Sequence, residues 1–252
     1  MKVVRRIEEL ETAPGTGLVP TMGAFHDGHR ALFRAARAEN ERVVVSLFVN
    51  PAQFDEQSDL DAYPRDEARD LEIADAEGVD VVFAPDALYP DGFATWVVPD
   101  VTGAEADWRP GHFRGVATGC LKLFNIVRPE RAHFGQKDAQ QVAVIRRLVR
   151  DLNVPVEIRV VPTVRDADGL ALSSRNVRLS PEERDRALGL PRALASAVAA
   201  PDPVAAARAA LNGLEPDYVE VLNLGDASVL AAAVRVGSTR LIDNVLLEGE
   251  IR

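Results

Sequence analysis

The chain is almost free of thiols: its 252 residues include one cysteine, Cys120. A single thiol forms no intrachain disulfide and excludes a zinc cluster built on several thiolates. So low a count fits cytoplasmic residence. Long apolar runs are missing as well. No stretch approaches the ~18–20 apolar residues that a bilayer span needs, and the Ala-rich region near 187–211 is interrupted by Arg192, Asp202 and Arg208. Residues 1–9 meet acidic side chains before any apolar run, so no signal peptide is expected there. Basic charge is scarce: 29 Lys and Arg against 39 Asp and Glu leave a net charge of −10. That balance argues against a general nucleic-acid binder, while a locally basic pocket for a small anion stays open. There is no internal repeat, no low-complexity linker, and no Ser-His-acid or Cys-His signature of a protein nucleophile.

What remains is a composition of 47% apolar and 27% charged residues, that of a soluble globular protein with one large domain or two smaller ones. The first two thirds alternate between two textures. Residues 43–49 and 79–84 are apolar and rich in β-branched side chains, as strands covered on both faces are. Residues 66–77 and 137–152 have helical spacing, and 155–161 reads as a further strand. This alternation predicts α/β architecture: a Rossmann-like parallel sheet with helices on both faces, whose ligands bind beyond the carboxyl ends of the strands. After about residue 164 the texture changes. Helices are expected at 181–200 and 203–211, then short strands at 218–222, 232–236, 239–242 and 245–251. The expected organisation is therefore a domain over residues 1–163 and a smaller α+β domain over 164–252.

His26-Asp27-Gly28-His29 stands out by its position. It follows the apolar run 17–19 and an expected turn at 20–23, and it opens a helix expected over 30–39. Imidazoles three residues apart at a helix start lie one turn apart and can face one ligand. Unpaired backbone N–H groups and the positive end of the helix dipole suit a phosphate chain there. Gly28 leaves room for close approach. A metal pair or two surface histidines would give the same four letters.

Other segments are open to two readings. Asn50-Pro51-Ala52-Gln53-Phe54 follows a strand end, where an amide binds a hydroxyl or carboxylate or is merely hydrated. Arg109 to Gly115 is a rigid turn or a loop facing an anion. His133, before Phe134-Gly135, reads as structural. Gly135-Gln136-Lys137-Asp138 begins a helix on which Gln141 lies one turn beyond Lys137, a lysine able to reach a phosphate as a point charge. Ser173-Ser174-Arg175-Asn176 is an anion grip or an ordinary capping loop.

Taken in order, these segments resemble the pantoate–β-alanine ligase family, the pantothenate synthetases, within the HxGH nucleotidyl-transferase-like superfamily. The resemblance runs from Val19 to about Ser180, through residues 20–29, 48–54, Tyr63-Pro64-Arg65, 109–115, 135–141 and 169–176, with a fainter echo at Thr239-Arg240-Leu241-Ile242-Asp243-Asn244. It implies ATP-dependent condensation of pantoate with β-alanine through a pantoyl adenylate, with Mg²⁺ accompanying ATP, in a homodimer. It places ATP along Met22, Gly23, Ala24, Phe25, His26, Asp27, Gly28 and His29, at Gly135, Gln136, Lys137 and Asp138, at Val164, and at Leu172, Ser173, Ser174 and Arg175. Gln53 and Gln141 would hold pantoate, Gln53 also lying near β-alanine. His29 would be the proton donor, with His26, Lys137 and Arg175 supplying further positive charge. No binding site for metal on protein side chains alone is implied. The chain departs from the family at Gln136, usually Glu; at Ala139, often aromatic; at Gly119-Cys120, usually an apolar pair; and in a C-terminal third that looks short. Two rivals stand beside this reading: a nucleotidyltransferase acting on a phosphorylated substrate, which has no use for the two glutamines, and a non-catalytic nucleotide-binding regulator, which would have lost His29, Lys137 or Arg175.

Overall fold

The structure, a computed structural model, describes residues 1–251. Its larger sheet is made of β1 (Lys2–Val4), β2 (Thr16–Thr21), β3 (Arg42–Leu47), β4 (Val81–Phe83), β5 (Arg131–Gly135) and β6 (Glu157–Val161). They are all parallel, in the spatial order β1-β4-β3-β2-β5-β6. The helices between them are α1 (Asp27–Glu39), α2 (Gln57–Asp61), α3 (Glu67–Ala76), α4 (Ala104–Trp108), α5 (His112–Val127) and α6 (Ala139–Asp151).

Alternation along the strands sorts the core into two layers. Val43 and Val45 face α1 and α3, packing with Phe33, Ala36 and Ile73. Val44 and Leu18 face the other way, onto Val116, Phe124, Val142 and Ile145 of α5 and α6. From β2 the chain moves outward to β3, whereas from β5 it moves outward to β6 on the opposite side. The crevice at the carboxyl ends of β2 and β5 is therefore the switch point of the sheet, where a ligand site is expected.

The remainder contains α7 (Pro181–Ala187), α8 (Gly189–Ala197) and α9 (Pro203–Ala210), packed on an antiparallel sheet of β7 (Pro216–Asn223), β8 (Ala227–Val236) and β9 (Thr239–Gly249). Leu190, Leu194, Leu211 and Leu230 fill its core. The parallel α/β sheet and the smaller α+β part are both as the sequence predicts.

Several boundaries differ, each for a physical reason. The single helix expected over 181–200 is divided at Leu188. Pro191, in the first turn of α8, has no N–H to donate back to residue 187. The helix expected from 137 begins with a 3₁₀ turn, Gln136–Asp138, before α6 proper. The turn expected at 20–23 starts two residues late, because Pro20 and Thr21 still belong to β2. The two short strands expected at 239–242 and 245–251 are one strand, β9. Asp243 and Asn244 look like a polar break, yet both are buried and bonded to other segments.

Candidate active site

A cavity of about 270 Å³ opens at the switch point. Met22 and Thr21 at the end of β2, Gly135 at the end of β5, and the heads of α1 and α6 converge on it. Of the ATP and pantoate residues that the resemblance implies, Met22, His26, Gly28, His29, Gln53, Gly135, Lys137, Asp138, Gln141, Val164, Leu172, Ser173, Ser174 and Arg175 line it. Gly23, Ala24, Phe25, Asp27 and Gln136 do not line it.

The reason for that exclusion is a buried carboxylate. Gly23 and Ala24 both have positive φ, +91° and +53°, which turns the loop back under α1. The N–H groups of Ala24 and Phe25 are then donated to Asp70 of α3, at 2.7 and 2.6 Å. Phe25 packs edge-on against Phe33, 5.1 Å between ring centres, in the core behind the site. Asp27 points its side chain to solvent, and Gln136 donates its amide to Asn244 Oδ1. Gly23, Ala24 and Phe25 thus shape the loop from behind, while Asp27 and Gln136 are directed elsewhere.

The head of α1 also differs from the expected cradle of free N–H groups. His26 is the N-cap, and its Nδ1 accepts from Gly28 N–H at 3.1 Å. His29 Nδ1 in turn accepts from His26 N–H at 3.2 Å, and the N–H groups of His29 and Arg30 go to His26 O. This cap starts the helix at Asp27, three residues before the expected start at 30. A neutral imidazole that accepts at Nδ1 holds its proton on Nε2. Both rings line the cavity, so what they offer a ligand is two Nε2–H donors in place of the backbone groups. Gly28 is needed for the cap itself: a Cβ there would lie 2.8 Å from the His26 ring.

Burial and the nearby Lys137 push His26 down to about 4. Burial, His26 and Lys137 hold His29 well below the ordinary range. Both are neutral at neutral pH until an anion arrives.

Lys137 sits on the 3₁₀ turn after β5, with its Nζ 3.8 Å from Asp138 Oδ1. Arg175 follows Ser173, whose Oγ accepts its N–H, and Ser174 Oγ donates to Ala24 O at 3.1 Å. That last bond ties the 173–176 loop to the loop before α1. The Arg175 guanidinium is held by Asp59 of α2 at 2.8 Å, and Asp59 also accepts from Arg178 at 3.1 Å. The four groups expected to converge, His26, His29, Lys137 and Arg175, do line one cavity.

Gln53, also on the cavity wall, ends the 3₁₀ turn Pro51–Gln53, with its Nε2 2.9 Å from Met22 Sδ. Asn50, buried, is fully used in building that turn: it accepts from Ala52 N–H and Tyr89 OH and donates to Gly115 O and Gln53 Oε1. The carbonyl of Gln53 accepts from His112 Nδ1 at 2.7 Å and from Arg109 at 3.2 Å. Arg109 and His112 thus brace the turn, and α5 begins within the segment that reads as a loop in the sequence. Gly115 lets α5 approach, since a Cβ there would be 2.0 Å from Ala52 O. Gln141, one turn into α6, faces the same space and makes no side-chain hydrogen bond among the described residues. His133, expected to be structural, is buried and paired with Asn40 at 3.2 Å, and it also borders the cavity.

Sequence reasoning misses Asp70, Asp59 and Asn244. Asp70 and Asp59 lie in charged helices where nothing in the spacing marks one acid from the next, and Asn244 reads as a strand break.

Fold and site together define an α/β protein in which a helix starting at His26-Asp27-Gly28-His29 opens on a cavity at the sheet's switch point. A family model described as pantoate-beta-alanine ligase matches residues 1–246. The pantothenate synthetase of Roseiflexus sp. (strain RS-1) is 52% identical over 277 aligned positions, covering 98% of this chain and all of that protein. That of Acetivibrio thermocellus is 46% identical over 282 positions, with the same coverage. Both alignments are longer than the 252-residue chain, so these relatives contain stretches this chain lacks. Pantothenate synthetase from Thermus thermophilus superposes with a TM-score of 0.92 at 44% identity, covering 98% of this chain and 100% of that one. Pantoate-beta-alanine ligase from Francisella tularensis, solved with beta-gamma ATP and β-alanine, superposes at 0.85 with 35% identity and 98% coverage of both chains. The chain belongs to the pantoate–β-alanine ligase family. It is an enzyme that joins pantoate to β-alanine.

Proposed function

We propose that the ligation runs in two steps in this one cavity, driven by ATP, in a cytoplasmic homodimer. In the first step a carboxylate oxygen of pantoate attacks the α-phosphorus of ATP, and the bond to the departing pyrophosphate breaks. In the second the β-alanine amine attacks the acyl carbon of pantoyl adenylate, gives up a proton, and AMP leaves. The observation that supports this most is the gathering of His26, His29, Lys137 and Arg175 in one cavity that Gln53 and Gln141 also line. Two anions must meet and a third must leave, and preorganised donors are worth most where that charge develops.

In this reading the triphosphate lies along Met22, His26, Gly28 and His29, then Gly135, Lys137 and Asp138, with Val164 and Leu172 to Arg175 closing over it. Gly23, Ala24 and Phe25 act by shaping that surface. His26 and His29 donate from Nε2–H to phosphate oxygens. An adjacent polyphosphate favours protonation of His29, but its Nδ1 accepts from His26 N–H, so the ring serves as a neutral Nε2–H donor to a phosphate oxygen unless that cap bond breaks to let it carry a second proton. Gln53 and Gln141 hold pantoate by directed hydrogen bonds.

Of the carboxylates lining the cavity, Glu105 and Asp243 are bonded at short range to Arg240 and Arg165, while Asp138 makes only a 3.8 Å approach to Lys137; Asp138 would be the one to share Mg²⁺ with phosphate oxygens when the ion arrives on ATP. Bound there, Mg²⁺ would supply charge neutralisation at the phosphates. Residues 1–163 would bind ATP and pantoate, and residues 164–252 would close on them through the 173–176 loop, keeping water from the adenylate.

The test is pantoate-dependent exchange of labelled pyrophosphate into ATP without β-alanine, followed by AMP release when β-alanine is added. A well-folded protein that forms pantothenate yet shows no exchange would rule out the adenylate route.

A further inference from the structure

Strand β9 carries the segment 239–244, which none of the roles above employs. Three of its side chains reach across to the site. Arg240 makes two bonds to Glu105, at 2.9 and 2.6 Å, and one to Asp217 at 2.7 Å. Asp243 grips Arg165 through both oxygens, at 2.7 and 3.0 Å. Asn244, buried, donates its amide Nδ2 to Gln136 O and to Lys137 O, each at 3.0 Å.

The last contact has a particular consequence. The 3₁₀ turn Gln136–Asp138 lies between β5 and α6, and it makes Lys137 a member of the cavity wall. A carbonyl pair in such a tight, half-buried turn gains order from a donor elsewhere. One side chain supplies it to both groups, and Gln136 Nε2 returns a bond to Asn244 Oδ1 at 3.3 Å. The Asn244 backbone is fixed in turn, its N–H bonded to Asp243 Oδ1 at 2.8 Å. The orientation of Lys137 is thus set from a strand of the other sheet.

We propose that Asn244 is a positioning residue for Lys137: it holds the turn in the one conformation that aims the ammonium group at the triphosphate. The proposal rests on Lys137 being the phosphate-facing lysine of the reading above. A displacement of about 1 Å in such a group costs on the order of 100-fold in rate.

A double-mutant cycle tests it, with each variant's folding checked by circular dichroism and thermal melting. Asn244→Ala should slow pantoate-dependent pyrophosphate exchange by about 100-fold in the wild-type background. In the Lys137→Ala background it should change exchange by less than about threefold, because its target is gone. Equal loss in both backgrounds, or near-normal exchange by Asn244→Ala alone, overturns the proposal. Should the alanine variant fail to fold, Asn244→Asp keeps the shape and the acceptor while removing both N–H donors. Its activity relative to wild type should recover as the pH falls, when the introduced carboxyl regains a proton to donate; a flat ratio overturns the proposal. The same cycle read as ATP affinity by calorimetry separates the two claims. If the wild type binds ATP but shows no exchange, the functional reading fails and the affinity cycle still decides for or against Asn244. If it binds no ATP, both fail.

Discussion

His26 and His29 lie against each other at the head of α1, ring centres 4.2 Å apart and planes tilted by 49°, and each has its Nδ1 engaged by a backbone N–H. One ring caps the helix and the other caps the cap. The group left to each is a single Nε2–H, so the structural use and the catalytic use proposed above would fall on different nitrogens of the same ring.

His29→Ala should therefore lower adenylate formation by about 10²–10³-fold, the usual loss for a preorganised donor. Stability should drop by only about 1 kcal/mol, for one backbone N–H left to water. Pyrophosphate exchange and a denaturant melt measure the two effects, and near-normal exchange would remove His29 from the chemistry.

Acid should unfold this protein through its histidines before its carboxylates. All four histidines are depressed: His26, His112 and His133 to about 4, and His29 well below its usual value, burial being the first cause each time. Their protons are bound by the unfolded chain below about 6.5 and refused by the folded one, so stability is lost as the pH falls from about 6.5 towards 4. The slope is about 1.4 kcal/mol per pH unit for each histidine contributing. Denaturant melts between pH 7 and 5 check it. Stability that is flat across this window would mean that the rings are not buried neutral.

Gln53→Ala should weaken pantoate use by about tenfold, on the scale of 1–1.5 kcal/mol for a directed hydrogen bond. ATP affinity should stay within about twofold. The comparison is KM for pantoate against the dissociation constant for ATP, and equal losses in both would undo the assignment of the amide to the small acid.

Gly115→Ala tests the other side of the same wall. A methyl group at that position meets Ala52 O at 2.0 Å, so α5 and the turn bearing Gln53 must part. Overpacking of this kind costs about 1–3 kcal/mol. The larger effect should fall on KM for pantoate, with ATP binding preserved because the heads of α1 and α6 do not move.

Much of this site is legible in the sequence because its chemistry is local. An HxGH start on an amphipathic helix, a lysine after a strand end and a Ser-Ser-Arg loop each announce themselves within a few residues. The supports behind them do not. Asp70 meets Ala24 from 46 residues away, Asn244 meets Lys137 from 107, and Asp59 meets Arg175 from 116. No periodicity encodes such a partnership, since only the fold brings the two halves together. The same cause explains the misread strand: a buried Asp-Asn pair interrupts the apolar pattern of β9 because its partners lie in the neighbouring layer. Gly28 shows the converse. Its small size is visible, but the reason for it, the ring of His26 folded over it, is not.

The bond from Ser174 to Ala24 bridges 150 positions, and the Asn244 contacts arrive later still. A ribosome making this protein would thus release the Rossmann-like core from its exit tunnel well before the reaction chamber is finished. Through that interval the emerging polypeptide lacks the Ser174 tie and the Asn244 brace, so the reaction chamber is completed only when the last third of the chain arrives.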